Sequence, residues 1–200
     1  MLKPILFNHR PAGLAVSDLP VLIHGADGSG ASMFSISLIA HLFLEGANLL
    51  FLCGYHMARD EFLEQTGASS ESVLVDQEED VAASHHKRVV FISRETPQLF
   101  GRLIEELPDI TERVVFVKNI ELFDGSILES TKGLPRLVVS GDIEACAFKT
   151  ELLQHVWRTR ISFSKLGDDG LPDLPKYSGY LEQKHRTGIV TLGEVQSPQD

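Results

Sequence analysis

With 200 residues, 43% of them hydrophobic, the chain is long enough to bury one sizeable core and short for two. Its 28 acidic against 18 basic residues leave a formal net charge of -10, which repels polyanions over the surface as a whole, so nucleic acid is not indicated as a partner. No apolar run reaches the ~18 residues needed to cross a bilayer, and Met1 to Leu6 is interrupted too early for a signal peptide, so the expectation is a soluble, cytoplasmic protein with no membrane partner. Cys53 and Cys146 lack metal-type spacing and fit buried thiols in a reducing compartment.

Taken in order, residues 1–19 read as an N-terminal arm with at most one short strand, because Pro4, Pro11 and Gly13 interrupt it. A short apolar strand follows, Val21-Leu22-Ile23-His24, then the glycine loop Gly25-Ala26-Asp27-Gly28-Ser29-Gly30-Ala31-Ser32, and then an apolar run to about Leu44. A strand that enters a glycine loop and leaves as a helix is the layout of a phosphate-binding P-loop. The run from 31 to 45 predicts an amphipathic helix with Met33, Ile36, Ala40, Phe43 and Leu44 near one face, closed by Gly46.

Leu49 to Cys53 is continuously apolar, as expected of a parallel strand buried on both faces. Strand and helix patterns then alternate: a helix ending at Gly67, a short strand 72–76, a strand 88–92, a helix with Leu99, Leu103, Ile104 and Leu107, strands 113–117 and 136–140, a helix over 147–156 and a strand over 159–164. Such alternation predicts an α/β fold with a mostly parallel central sheet flanked by helices. Beyond it, Gly167, Gly170, Pro172 and Pro175 mark a turn, and 177–183 and 188–192 read as antiparallel strands added to the sheet edge. The expected organisation is the arm, a single α/β domain over 20–193 and a flexible tail over 194–200.

Against the pattern G-x-x-x-x-G-K-[ST], Gly25, Gly30 and Ser32 match, while Ala31 stands where the lysine belongs. The candidate ligand-binding residues are therefore Gly25, Asp27, Gly28, Ser29, Gly30, Ala31 and Ser32, with Ser32 also a weak candidate Mg²⁺ ligand. Glycines let amides converge on an anion, and the helix start adds unpaired N–H groups. The missing cation removes the charge that steadies a phosphoryl group in transfer, and Asp27 opposes an anion. The plain alternative is a strand-to-helix turn that binds nothing.

The succession of P-loop strand, helix, apolar strand, helix, a strand ending in Asp76, a valine-rich strand after Arg113, a further strand and terminal hairpins resembles the RecA-type ATPase core, and among such proteins the KaiC-like ones, over roughly residues 20–193. The resemblance implies ATP or ADP with Mg²⁺ as the ligand and homo- or hetero-oligomers of RecA-like subunits as the working state. It also implies a Lys-x-Arg element acting on a neighbouring subunit's γ-phosphate, for which Lys184 and Arg186 are the candidates; the alternative for this pair is a solvated edge that guards against aggregation.

Three departures accompany the resemblance. Besides Ala31, the family's catalytic glutamate would fall near Gly54-Tyr55 and its Mg²⁺-associated aspartate at Val117 or Lys118, and no carboxylate stands at either place. Lys118 reads as a solvated strand-end lysine, with a displaced cation for the phosphates as the alternative. Glu121 and Asp124 just beyond it read as a solvated loop, with metal recruitment as the alternative. The adjacent His85-His86 lack a third ligand, and Gly28-Ser29-Gly30 is not a nucleophile elbow. Trp157 with Arg158 and Arg160 reads as rim packing before a strand, with base stacking as the alternative.

The sequence thus predicts a catalytically degenerate RecA/KaiC-like P-loop domain that acts as a nucleotide-binding or assembly module, with hydrolysis weak or absent and no confident catalytic residue. Its rivals are an active ATPase using a displaced cation with Lys184 and Arg186 in trans, and a scaffold that binds no nucleotide.

Overall fold

The structure is a computed structural model that describes residues 6–7, 10–11, 14–163, 178–183 and 186–191. The arm contains two short strands where at most one was expected, β1 (Leu6–Phe7) and β2 (Arg10–Pro11), paired antiparallel. The main elements follow as β3 (Val21–Gly25), α1 (Ala31–Leu44), β4 (Leu49–Cys53), α2 (His56–Thr66), β5 (Ser72–Val75), α3 (Val81–Ser84) and β6 (Val89–Ser93). Then come α4 (Gln98–Glu106), β7 (Val114–Lys118), α5 (Ser126–Ser130), β8 (Leu137–Gly141), α6 (Lys149–Gln154), β9 (Thr159–Phe163), β10 (Ser178–Gln183) and β11 (Arg186–Thr191). The short α5 was not anticipated from the sequence.

The described strands β3 to β11 form one sheet in the order β11-β10-β9-β3-β8-β7-β4-β6-β5. From β9 to β5 every pairing is parallel; β10 and β11 add the antiparallel edge that the sequence predicts. The chain leaves β3 through α1 and re-enters the sheet at β4, and it later fills the gap with β7 and β8. The carboxyl ends of β3, β8 and β7 therefore stand side by side, which is where open α/β sheets hold their ligands.

The apolar runs are buried on both faces, as their lack of alternation implies. Val21, Ile23, Leu49, Phe51, Val114, Phe116 and Val138 pack with α1 and α2, while Leu22, Leu50, Leu52, Val115, Val117 and Val139 pack on the other face with α4, α5 and α6. On the first face Phe51 is the hub of an aromatic cluster, its ring centroid 4.6 Å from Phe116, 5.4 Å from Phe91 and 6.1 Å from Phe62.

Helix α1 departs from the predicted amphipathic pattern. It is buried around most of its circumference, including Ser35, Ser37 and Leu38, whereas Leu44, expected to face the sheet, is exposed. The reason is tertiary: α1 lies within a cluster that also includes Leu14 and Leu19 from before the sheet, Phe62 of α2, and Phe163 and Leu181 of the edge strands. Its buried polar positions are serines: Ser35 Oγ donates to Ser32 O at 2.8 Å, while the Ser37 hydroxyl has no partner among the described residues.

At the amino end of the sheet, far from the glycine loop, Arg113 is buried and donates to Asp109 Oδ1 at 2.7 Å and to the carbonyls of Lys87 at 3.0 Å and Leu49 at 3.3 Å. It ties β7 to its neighbours. Trp157 belongs to the packing as well: its Nε1 donates to Leu152 O at 2.8 Å, and Arg158 and Arg160 donate to the carbonyls of Ser17 and Leu153, which favours rim packing over a stacking surface.

Truncating the aromatic hub tests this core. Phe51→Ala is expected to lower the unfolding free energy by about 3–5 kcal/mol, read as a lower urea midpoint with an unchanged slope.

Candidate functional site

Gly25 ends β3 and Ala31 begins α1, so the loop 26–30 is bound at both ends by regular structure. Gly28 and Gly30 adopt φ of +76° and +99°, a region that a side chain with Cβ rarely enters. Gly25 is needed for a different reason: a Cβ there would stand 2.5 Å from Phe163 O and 2.5 Å from Ser29 Oγ. Ser29 N–H donates to Ala26 O at 3.0 Å and Phe34 N–H to Gly30 O at 2.9 Å. The amides of Ser32 and Met33 are left at the open end of α1, as the first turn of any helix leaves them.

These residues line one wall of a cleft of about 300 Å³, formed by Gly25, Ala26, Asp27, Gly28, Gly30, Ala31, Ser32 and Met33. The opposite wall is Lys118, the last residue of β7, and Asn119 after it, with Glu121, Gly141 and Asp142. Asp27 and Ser32 are exposed at the mouth and Ala31 is buried beneath it.

Lys118 is not the solvated strand-end residue that the sequence suggests: its residue is 2% exposed. Strand alternation puts it on the face of Val114 and Phe116, under α1 and α2. Among the described residues its ammonium has no hydrogen bond or ion pair. Burial pulls it down from 10.5 to about 8, opposed by the charges of Glu121, Glu61 and Asp27. Ser140, its register partner on β8, is fully buried on the same face, and its Oγ also has no hydrogen-bond partner.

The turn after β7 is held in a special conformation. Asn119 adopts φ 60°, ψ 59°, a left-handed position that asparagine tolerates better than most residues, and its Nδ2 donates to Glu121 Oε1 at 3.2 Å. Glu121 Oε2 accepts the Asp142 N–H at 3.0 Å. Gly141 makes this possible, since a Cβ there would lie 2.0 Å from Glu121 Oε2. With both oxygens engaged, Glu121 braces the loop, and the metal-recruiting alternative is not favoured. Asp124 is held down by hydrogen bonds from the Ser126 hydroxyl and N–H, as a local turn. Among the described residues no three His, Cys, Asp or Glu side chains group in a way that could hold a metal ion.

Gly54 and Tyr55 follow the end of β4 on the same sheet edge, and Gly54 packs so tightly on Asn119 that a Cβ would stand 2.6 Å from the asparagine Cβ. Glu95 lines a small pocket together with Gly54 and Tyr55, while Glu61 of α2, half-buried, is pushed up by desolvation and pulled back by Lys118. His24 donates to or accepts from Ser162 Oγ at 2.6 Å and is shifted down by burial; it stabilises the β3–β9 pair below the loop. Lys184 lies outside the described residues. Arg186 opens β11 opposite Gln183, which pairs with Thr159 at the amino end of β9. That end lies ~13 Å along the strands from the level of Gly25. Glu61, Asn119, Ser140, Gly141 and Asp142 were not singled out from the sequence; only the asparagine after a β-branched strand carried a local signal for a turn.

A mostly parallel sheet with helices on both faces, and a glycine loop leading from an inner strand into a helix at its carboxyl edge, is the RecA-like P-loop NTPase fold. No family model matches the sequence, and neither does any curated protein. Solved structures do match. The genome packaging NTPase B204 from Sulfolobus turreted icosahedral virus 2, in complex with AMPPCP, aligns with a TM-score of 0.60 at 12% identity over 89% of this chain and 98% of that one. Its sulfate complex gives 0.61 at 13% identity over 90% and 99%, and its AMP complex 0.59 at 11% over 93% and 100%. At such identities the likeness is one of fold. No helix among the described residues is long and apolar enough to cross a membrane.

The buried ammonium predicts a pH dependence of stability. Between the folded value of about 8 and the unfolded 10.5, the unfolded chain holds a proton that the folded chain has released, so stability rises with pH across that window. The difference in unfolding free energy between wild type and Lys118→Met is expected to move in favour of wild type by ~3 kcal/mol from below pH 8 to above 10.5, measured by urea titration at each pH.

Proposed function

We propose that this chain is a RecA-like P-loop domain, spanning residues 20–193, that binds a nucleotide by its phosphates at Gly25–Ser32 and hydrolyses it slowly or not at all. It serves as a binding or assembly module in the cytoplasm, in an oligomer with RecA-like subunits. The observation that carries this reading is one cleft in which a glycine loop and a helix start face inward beside Ala31 and Lys118, two of the three positions for hydrolytic charges; the third, Gly54–Tyr55, lies just past the end of β4. Loop amides and a helix N-terminus suffice to bind an anion. Phosphoryl transfer needs more: a metal bridging the phosphates and a residue that orients the nucleophile.

The B204 structures with AMPPCP and AMP support a nucleotide as the ligand, because that protein shares the fold across 89% or more of this chain. Mg²⁺ fits poorly. The strand-end position of β7 that would hold it carries an ammonium, and Ser32 alone offers one hydroxyl at the mouth. The Gln183–Arg186 end of the β10–β11 hairpin lies at the sheet edge away from the loop, so a contribution of Lys184 and Arg186 to a phosphate site has to be made to a neighbouring subunit. This placement supports the assembly role and leaves the active-ATPase rival dependent on it.

Isothermal titration tests the reading. ADP and ATP are expected to bind with a dissociation constant of about 1–100 µM, and Gly28→Val to weaken binding at least tenfold while the melting temperature falls by about 2–10 °C and the fold is retained. Gly28 has open space around it but a positive φ, so valine strains the loop alone. Phosphate release by wild type is expected to stay at the level of the buffer blank. Turnover that survives purification and is lost in Lys184→Ala/Arg186→Ala would instead establish the ATPase, and the absence of any binding would leave a scaffold.

A further inference from the structure

We propose that Lys118 replaces the lysine missing from the glycine loop: its ammonium, delivered from the neighbouring strand β7, is the cation that holds phosphoryl oxygens in the cleft, and it does so without Mg²⁺. The proposal rests on the reading that Gly25–Ser32 binds phosphates, and it deepens that reading by naming the residue and the metal independence.

The argument begins with an imbalance. A side chain that is 2% exposed places its ammonium against the cleft, with no hydrogen bond or ion pair among the described residues. The enclosed side-chain atoms without a partner among the described residues belong to Ser37, Thr96 and Ser140; the Lys118 ammonium is not one of them, so its stem is buried while its head opens on the cleft, where an anion can reach it. Three carboxylates surround it: Asp27 from the glycine loop, Glu61 from α2 and Glu121 from beyond β7. None makes an ion pair with it. Glu121 is committed to Asn119 Nδ2 and the Asp142 N–H, Glu61 is pushed toward its neutral form by desolvation, and Asp27 stands in solvent at the mouth. These acids hold the lysine in its charged form more than they neutralise it. The other titratable neighbour, the Cys53 thiol at the end of β4, is pushed up by burial and stays neutral.

Position supplies the second part. β8 alone separates β7 from β3, which puts their axes ~10 Å apart. The four-carbon stem of a lysine on the α1 face then projects beneath the loop, and its head shares the cleft with Gly28, Gly30 and Ser32. The Ser140 hydroxyl, buried and without a partner at the matching register of β8, stands beside it on the same face. Ser140 lies behind the lining; the ammonium, the Ser32 hydroxyl at the mouth and the loop amides make the donor set suited to a phosphoryl group.

Metal independence follows from the same placement. In P-loop NTPases an aspartate together with the loop serine or threonine holds Mg²⁺. Here an ammonium stands at the strand end where the aspartate is expected, so the positive charge that metal and lysine usually share is carried by one side chain, with Asp27, Glu121 and Asp142 as the carboxylates of the lining.

The test is titration of the whole chain with ADP and ATP, in EDTA and in MgCl₂, for wild type and Lys118→Met. Expected are wild-type dissociation constants that agree within twofold with and without the metal, and at least a tenfold loss in Lys118→Met, whose fold is checked by circular dichroism. In wild type, affinity is expected to fall as pH rises through about 8, a dependence that a merely structural lysine would not produce. Wild-type binding that needs Mg²⁺, that is flat in pH from 7 to 10, or that persists in Lys118→Met would overturn the proposal and leave the P-loop reading standing. No binding of either nucleotide by wild type would overturn both.

Discussion

The site depends on one constraint of sheet topology: β7 and β8 are threaded, parallel, between β3 and β4. Parallel strands end at the same edge, so three loops that are far apart in the chain meet there: the glycine loop after β3, Lys118–Asn119 at the end of β7 and Gly141–Asp142 at the end of β8. Every further feature of the cleft follows from this convergence. Glu121 reaches the Asp142 amide across the gap between two of these loops, and it can do so because Gly141 leaves room for its carboxylate.

The convergence also explains why a lysine can be tolerated so deep. Its stem continues the apolar face of β7 below Val114 and Phe116, and only the head reaches polar ground. Its surroundings are acidic enough to keep the proton at neutral pH, yet the acids have other partners or none within bonding reach. A charge held in this state differs from a structural ion pair. Arg113 shows the contrast within the same strand: equally buried at the other end of β7, it is saturated by Asp109 and by carbonyl oxygens, and it ties the sheet together.

The shape of the cleft and the charges inside it are set by different residues in this fold. The loop geometry rests on glycines with positive φ and on Gly25 packed against Phe163, none of which involves a charge. The cradle therefore needs no charge at positions 31, 54 and 118, although position 54 has to stay without a side chain against Asn119. What those positions decide is the chemistry available to an anion inside it, and here they combine one buried cation with no carboxylate placed to hold a metal.

Much of the architecture was legible from residues alone. Continuous apolar runs such as Leu49 to Cys53 announce strands buried on both faces, Gly46 and Gly67 mark helix ends, and glycines at 25, 28 and 30 between a strand and an apolar run announce the loop, because these signals depend only on local backbone freedom and on period. Tertiary structure alone decided the rest. The burial of α1 on nearly all sides comes from neighbours remote in sequence, so a pattern read over fourteen residues misassigned Leu44. The role of Lys118 was decided in the same way: at the end of a strand it looks solvated, and only the strand order, set by long-range pairing that no local window records, turns that strand end into the wall of a cleft.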